Sequence, residues 1–520
     1  MTLRSPLAQS IVTLLALVVA ALLVYWAFWM APIFGLDFGV YISGGQSVLD
    51  GAGELYTKVY NDLLFTYSPF SALFFSILAL FGLSAGLTIF TTLSMLIAGL
   101  TALYSVRFVF QTKNVGAVLL HPWLRPLTIV AAGFIVALGP WRETTAFGQI
   151  NILLLGMIMA DYLIKSKRWP TGVLVGIAAG IKLTPLVLGL YFLCTGNWRA
   201  LRNMALGFLG TVLLGFLLMP KESVAYWFHL LPDTSRIGGA GYVDNLSIKG
   251  AILHFMGPDF AVNLPWLALS LVLTVLTGWA VWSAKRQGQL TTGLAMTVLL
   301  MLLISPITWS HHWVWIAVIM AVLAFNLRVM PKGRKGLRAV GYALLILAVP
   351  IFLYSPKTIG TALGATDLGS QIPTVWLMAS SVGVFWGIAT LIWWFVVFWE
   401  NPKTAIQQGT LSVQGFFKAV SGGSPESATG QSAHGAAVRR LTSKILGSRL
   451  ILIGLFAALA SLMLITSKGN SQWGIDLGWI LNLVGFAGLL LALLGGILYF
   501  RARRAEKREE RPTVREDRQG

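Results

Sequence analysis

Gly35-Leu36-Asp37-Phe38-Gly39-Val40-Tyr41 marks the point where the first long apolar run of the chain, from about Ile11 to Phe34, gives way to polar sequence. A run of about 20 apolar residues or more is long enough to span the hydrocarbon layer of a bilayer. This one ends in Trp26, Phe28 and Trp29 and has no small-residue cleavage site, so it reads as a retained first span. A carboxylate within a turn of a membrane surface is costly to desolvate and is a functional candidate by default. Asp37 is that residue. The plainer alternative, a helix-end aspartate facing water, loses weight because later segments return polar groups to the same side.

Composition agrees with that start. With 56% hydrophobic residues, 11% charged residues and a mean hydropathy of +0.76, the chain departs strongly from soluble proteins, of which about 25% of residues are charged. It reads as an all-α polytopic membrane protein. The lone cysteine, Cys194, excludes an intrachain disulfide. The net charge of +19 is spread in short clusters between apolar runs, the pattern that orients helices and not one that binds nucleic acid.

Working outward, residues 35–66 form a polar loop long enough to carry surface helices. Runs at about 68–83 and 85–106 follow. The first, entered through Ser68-Pro69, is expected to be a short re-entrant helix. Runs at about 126–140 and 149–164 deliver Lys165, Lys167 and Arg168 to the cytoplasm, and Arg199 and Arg202 also belong there. Too few residues lie between these clusters for two full spans, so a broken hairpin is expected, pivoting at Lys182-Leu183-Thr184-Pro185. Spans at about 203–219, 263–284, 291–305, 312–327, 339–354 and 374–399 then alternate, with a second large outer loop at 220–262. This map puts 30 of the 38 Lys and Arg residues in the cytoplasm, in line with the positive-inside rule.

The expected organisation is a core over 1–400, a flexible cytoplasmic linker over 401–447 rich in Ser and Gly, and an appended two-helix transmembrane hairpin over 448–500. A charged cytoplasmic tail over 501–520 closes the chain. Both termini should be cytoplasmic and the polar face extracytoplasmic, in a plasma membrane.

That outer face collects the candidate chemistry: Asp37 and Tyr41, Arg142, Gln149 and Asn151, Lys182, Asp244 and Asn245, and Trp309, His311 and His312. Each has a bland alternative. Gln149 and Asn151 can cap a helix, Lys182 can snorkel to headgroups, and the histidine pair can join Trp309, Trp313 and Trp315 in an interfacial belt. Adjacent histidines diverge on a helix and no Asp-x-Asp or His-x-x-x-His spacing supports them, so no metal site is expected. With no Walker loop or Rossmann glycine fingerprint, no nucleotide and no cofactor are expected either. One carboxylate with several cations beside an apolar groove suits transfer of a sugar from a lipid-linked phosphate. The base would take the proton of the incoming hydroxyl and the cations would steady the departing phosphate.

Several ordered motifs carry a resemblance. Asp37 to Tyr41, Phe65-Thr66-Tyr67-Ser68-Pro69, Gly148-Gln149-Ile150-Asn151, Gly180-Ile181-Lys182-Leu183-Thr184-Pro185 and Ser305 to Trp313 resemble the motifs of glycosyltransferase family 87, over about residues 10–400. The resemblance implies a GT-C type glycosyltransferase core, a polyprenyl-phosphate-mannose donor, and a mannosylated lipid acceptor such as a phosphatidylinositol mannoside or lipomannan. It also implies inversion to an α-(1→2) linkage, with Asp37 as the essential acid and His311 or His312 as a substrate contact. An arabinofuranosyl donor within the same family and, less closely, a lipid-linked sugar transporter are the alternatives. Two departures stand out. Tyr67-Ser68-Pro69 replaces Tyr-Pro-Pro, expected to loosen a helix start, and Asn245-Leu246-Ser247 replaces Asn-Gln-Ser, removing an amide that could touch sugar.

Overall fold

The structure is a computed structural model, described here for residues 6–399 apart from 52, 165–166, 232–235, 237 and 363–373. The expected linker, C-terminal hairpin and tail lie outside the described residues. Among the described residues, six helices are long and apolar enough to cross a membrane: Pro6–Met30, Gly82–Phe110, Trp198–Leu218, Asn263–Arg286, Ser310–Val329 and Lys335–Leu353. A seventh span arises if Leu124–Ala137 and Gly139–Phe147, bent by 63° at Leu138, are taken as one. The chain is thus a helical polytopic membrane protein.

Burial sorts these helices. Leu290–Ile304 is apolar on every side and buries nearly all its residues, as a helix surrounded by other helices must. Pro6–Met30 buries only Ala16 and Ala27 and leaves leucines outward, suiting contact with lipid.

Shorter elements follow from local signals. Pro69–Ala79 has 11 residues, roughly 16 Å at 1.5 Å per residue, too short to cross. Its start is not loosened by the serine at position 68, contrary to expectation. Ser68 Oγ accepts from Ser71 N at 3.2 Å and donates to the Gly180 carbonyl, so it caps this helix and ties it to the lysine motif. The broken hairpin is present. The helix Val173–Ile181 stops at Lys182, whose backbone is extended, and a 3-10 turn over Thr184–Val187 containing Pro185 leads into Leu188–Cys194. The loop after the first span folds as the helix Leu36–Leu49 and a small hairpin, Val59–Tyr60 against Leu63–Leu64.

Beyond Leu290–Ile304, Ser305 is extended, as a residue before proline prefers. The following stretch bridges Asn245 to Trp309 before a 3-10 turn over Ser310–Trp315 opens the helix Ile316–Val329.

Candidate active site

Asp37 sits in the first turn of Leu36–Leu49. Two glycines permit its placement. Gly35 turns the chain with φ 64°, and the amides of Phe34 and Gly35 both donate to the carbonyl of Ala146. Gly148 ends Gly139–Phe147 with φ 70°, and a Cβ there would lie 2.6 Å from the Phe38 Cβ. Any other residue would push the two helices apart and separate Asp37 from Gln149.

The side chains then interlock. Gln149 Oε1 accepts from the Tyr41 hydroxyl at 2.7 Å, and Gln149 lies close enough to Asp37 to favour its charged form. Tyr67 lies 2.9 Å from the Tyr41 hydroxyl, and the Tyr41 ring stacks on Phe75 at 4.2 Å. Burial raises the Asp37 carboxyl above the ordinary carboxylate range, while Gln149 and the charges of Lys182 and Lys357 act in the opposite direction.

Lys182 Nζ donates to Asn151 Oδ1 at 2.9 Å and lies 3.0 Å from His312 Nε2. With Lys182 as an ammonium, which has no lone pair, His312 receives that bond on Nε2 and carries its proton on Nδ1. The Asn151 amide nitrogen reaches the His311 carbonyl at 3.2 Å, and Thr144 donates to the same oxygen at 2.7 Å. The two histidines thereby face different neighbours. His312 joins Lys182, Asn151, Thr184 and Thr308 along a narrow cleft whose other walls are apolar, among them Leu154, Ile158, Met301 and Trp315. Asp37 does not line that cleft, though the charge of Lys182, which does, acts on it.

His311 turns to a second group with Glu143 and Asp244. Their ligand atoms all lie within 4.8 Å of one another. Ser310 Oγ sits 2.9 Å from Glu143 Oε2 and 2.8 Å from Asp244 Oδ2, and Thr358 donates to Glu143 Oε1 at 3.0 Å. Burial pushes the Asp244 carboxyl well above the ordinary carboxylate range, with Lys357 the largest opposing charge and Glu143 adding to the rise.

Other expected residues take structural places. The Arg142 guanidinium donates to the carbonyls of Ala137 at 2.9 Å and Leu353 at 3.0 Å, and packs on the rings of Trp26 and Tyr354. That geometry does not support its expected role at a phosphate. Asn245 receives Thr308 N at 2.9 Å and donates to the carbonyls of Ala240 and Pro306, so both ends of its amide are occupied within the chain. Trp309 packs edge-on against Tyr242.

Sequence reading passed over Glu143 and Lys357. Each carried a signal: an acid beside Arg142 where an apolar run ends, and a lysine at the expected outer end of a span.

The fold and site define an integral membrane protein with polar centres assembled from distant segments beside an apolar-walled cleft. The glycosyltransferase family 87 model matches residues 65–306. The chain is similar to the polyprenol-phosphate-mannose-dependent alpha-(1-2)-phosphatidylinositol mannoside mannosyltransferase of Mycobacterium tuberculosis. The two are 32% identical over 370 residues, covering 68% of this chain and 86% of the relative. It is also similar to the polyprenol-phosphate-mannose-dependent alpha-(1-2)-phosphatidylinositol pentamannoside mannosyltransferase of Mycolicibacterium smegmatis, 36% identical over 332 residues, 61% of this chain and 76% of the relative. This chain belongs to glycosyltransferase family 87. Among solved structures it is similar to ArnT from Cupriavidus metallidurans bound to undecaprenyl phosphate. That match has 17% identity and a TM-score of 0.36, over 74% of this chain and 76% of that one.

Proposed function

We propose that the protein transfers mannose from polyprenyl-phosphate-mannose to the 2-hydroxyl of a mannose on a phosphatidylinositol mannoside or lipomannan acceptor. The reaction takes place on the extracytoplasmic face of the plasma membrane, with both termini in the cytoplasm. The observation that carries the reading is the Lys182–His312 pair in an apolar-walled cleft, with the buried Asp37 carboxyl near enough to feel the Lys182 charge. The named specificity of the relatives supports the donor and the linkage.

In this mechanism Asp37 accepts the proton of the acceptor 2-hydroxyl as its oxygen attacks the anomeric carbon. The bond from that carbon to the phosphate oxygen breaks, and polyprenyl phosphate departs with the electron pair. A single in-line displacement inverts a β-linked donor to an α-(1→2) product. Lys182 stabilises the departing phosphate, and the Nδ1 proton of His312 is available to donate to it.

The test is transfer by the purified protein in lipid nanodiscs from radiolabelled polyprenyl-phosphate-mannose to a phosphatidylinositol mannoside, followed by linkage analysis. A 2-linked mannose product is expected. Product formed only from polyprenyl-phosphate-arabinose would replace this reading with arabinofuranosyl transfer.

A further inference from the structure

His311 and Asp244 are 6% and 2% exposed. Both ring nitrogens of His311 and the Oδ1 atom of Asp244 are buried without a hydrogen-bond partner. A buried imidazole with neither nitrogen satisfied is rare in a folded protein and calls for a missing partner. Glu143, 4% exposed, brings its carboxyl to the same point, and the three ligand atoms fall within 4.8 Å of one another. Ser310 does not resolve the crowding. Its hydroxyl has one hydrogen, yet carboxylate oxygens of both Glu143 and Asp244 lie within 2.9 Å, so one of them faces a lone pair.

We propose that Glu143, Asp244 and His311 bind one divalent transition-metal cation of the zinc type. Two carboxylate oxygens with one imidazole nitrogen form a mixed donor set that suits zinc better than the all-oxygen preference of calcium or magnesium. Bonds of about 2.1 Å place opposed ligands about 4.2 Å apart, so the cluster closes slightly on binding. Lys357 acts on both Asp244 and His311, and its ammonium lies 4.4 Å from the centre of the Phe147 ring. The two carboxylates offset the cation, and the lysine charge remains over.

The ion would join three segments far apart in sequence: the helix Gly139–Phe147, the loop carrying Asp244, and the turn Ser310–Trp315. Holding His311 there leaves the adjacent His312 directed at Lys182. Spacing in the sequence could not disclose such a site, because each segment contributes a single ligand. The inference does not depend on which sugar is transferred, and metal content is read separately from activity.

The full chain in nanodiscs is stripped with a chelator, equilibrated with zinc and desalted. About one zinc per chain is expected to remain, with an X-ray absorption first shell of oxygen and a single imidazole. Glu143→Gln and His311→Gln should each weaken zinc binding about tenfold or more. Asp50→Asn, at an exposed carboxylate that accepts from Gln46, should leave it unchanged. Wild-type protein that retains no zinc, a first shell lacking imidazole, or ligand variants that bind as wild type would each overturn the proposal. Should the variants fail to fold, the wild-type stoichiometry and absorption spectrum decide alone.

Discussion

Lys182 Nζ and His312 Nε2 lie 3.0 Å apart although 130 residues separate them in the chain. The contact exists because one residue sits at the break of a hairpin and the other on a 3-10 turn at the start of a span. Neither a continuous helix over 173–194 nor one beginning at Ser305 would present both groups at the mouth of one cleft.

Lys182→Met removes the ammonium while keeping much of the stem. Loss of one preorganised donor at a charged leaving group costs about 10² to 10³ in kcat, and a drop of that order is expected with donor mannose. Initial rates in nanodiscs measure it; a rate within a few-fold of wild type would take Lys182 out of phosphate stabilisation.

The acid limb of the pH profile should belong to Asp37. Its carboxyl is raised by burial, so the base form is lost, and kcat/KM falls, as pH drops through a midpoint above the usual carboxylate value of about 4. Gln149→Leu deletes a hydrogen bond that favours the charged form, and the limb should move to higher pH. Movement to lower pH would contradict the assignment. The same raised pKa means that the folded state binds more protons than the unfolded chain between the two pKa values. The Asp37 contribution to stability therefore grows as pH falls through that window.

Arg142 is predicted to matter for stability. Arg142→Met leaves the carbonyls of Ala137 and Leu353 without these donors, at a cost of about 1 to 3 kcal/mol for each buried group left unpaired. Thermal unfolding in detergent should show a lowered midpoint, with the KM for donor in the surviving folded fraction unchanged. An unchanged midpoint with a raised donor KM would restore the phosphate role.

Asn245→Ala should behave similarly. It releases Thr308 N and the contacts to Ala240 and Pro306, loosening the Asp244 loop from the segment before the histidines. Faster proteolysis there is expected, measured by limited digestion. Unaltered proteolysis together with weaker acceptor binding would instead make Asn245 a sugar contact.

Much of this arrangement is legible in the sequence. Apolar run lengths place six long helices, whereas the spans expected at 149–164, 291–305 and 374–399 contain helices of only 13, 15 and 17 residues. Pro185 locates the broken hairpin, and Lys182 does meet Asn151. What escapes is side-chain direction. Nothing in the pattern distinguishes an arginine aimed at a phosphate from one that donates to carbonyls between Trp26 and Tyr354. Nothing in the pair His311-His312 tells which ring faces the cleft, since that depends on Asn151 and Thr144 holding the His311 carbonyl. Glu143 and Lys357 gain meaning only from partners far away along the chain, such as the Ser310 hydroxyl and the Phe147 ring.

The most direct measurement is mannosyl transfer by Asp37→Asn in nanodiscs, with the thermal midpoint recorded on the same preparation. The substitution keeps the shape of the side chain and removes its basicity, so transfer should fall by about 10² to 10⁴ while the midpoint holds or rises. Transfer at near the wild-type rate by the folded variant would contradict Asp37 as the base on which this account of the enzyme rests.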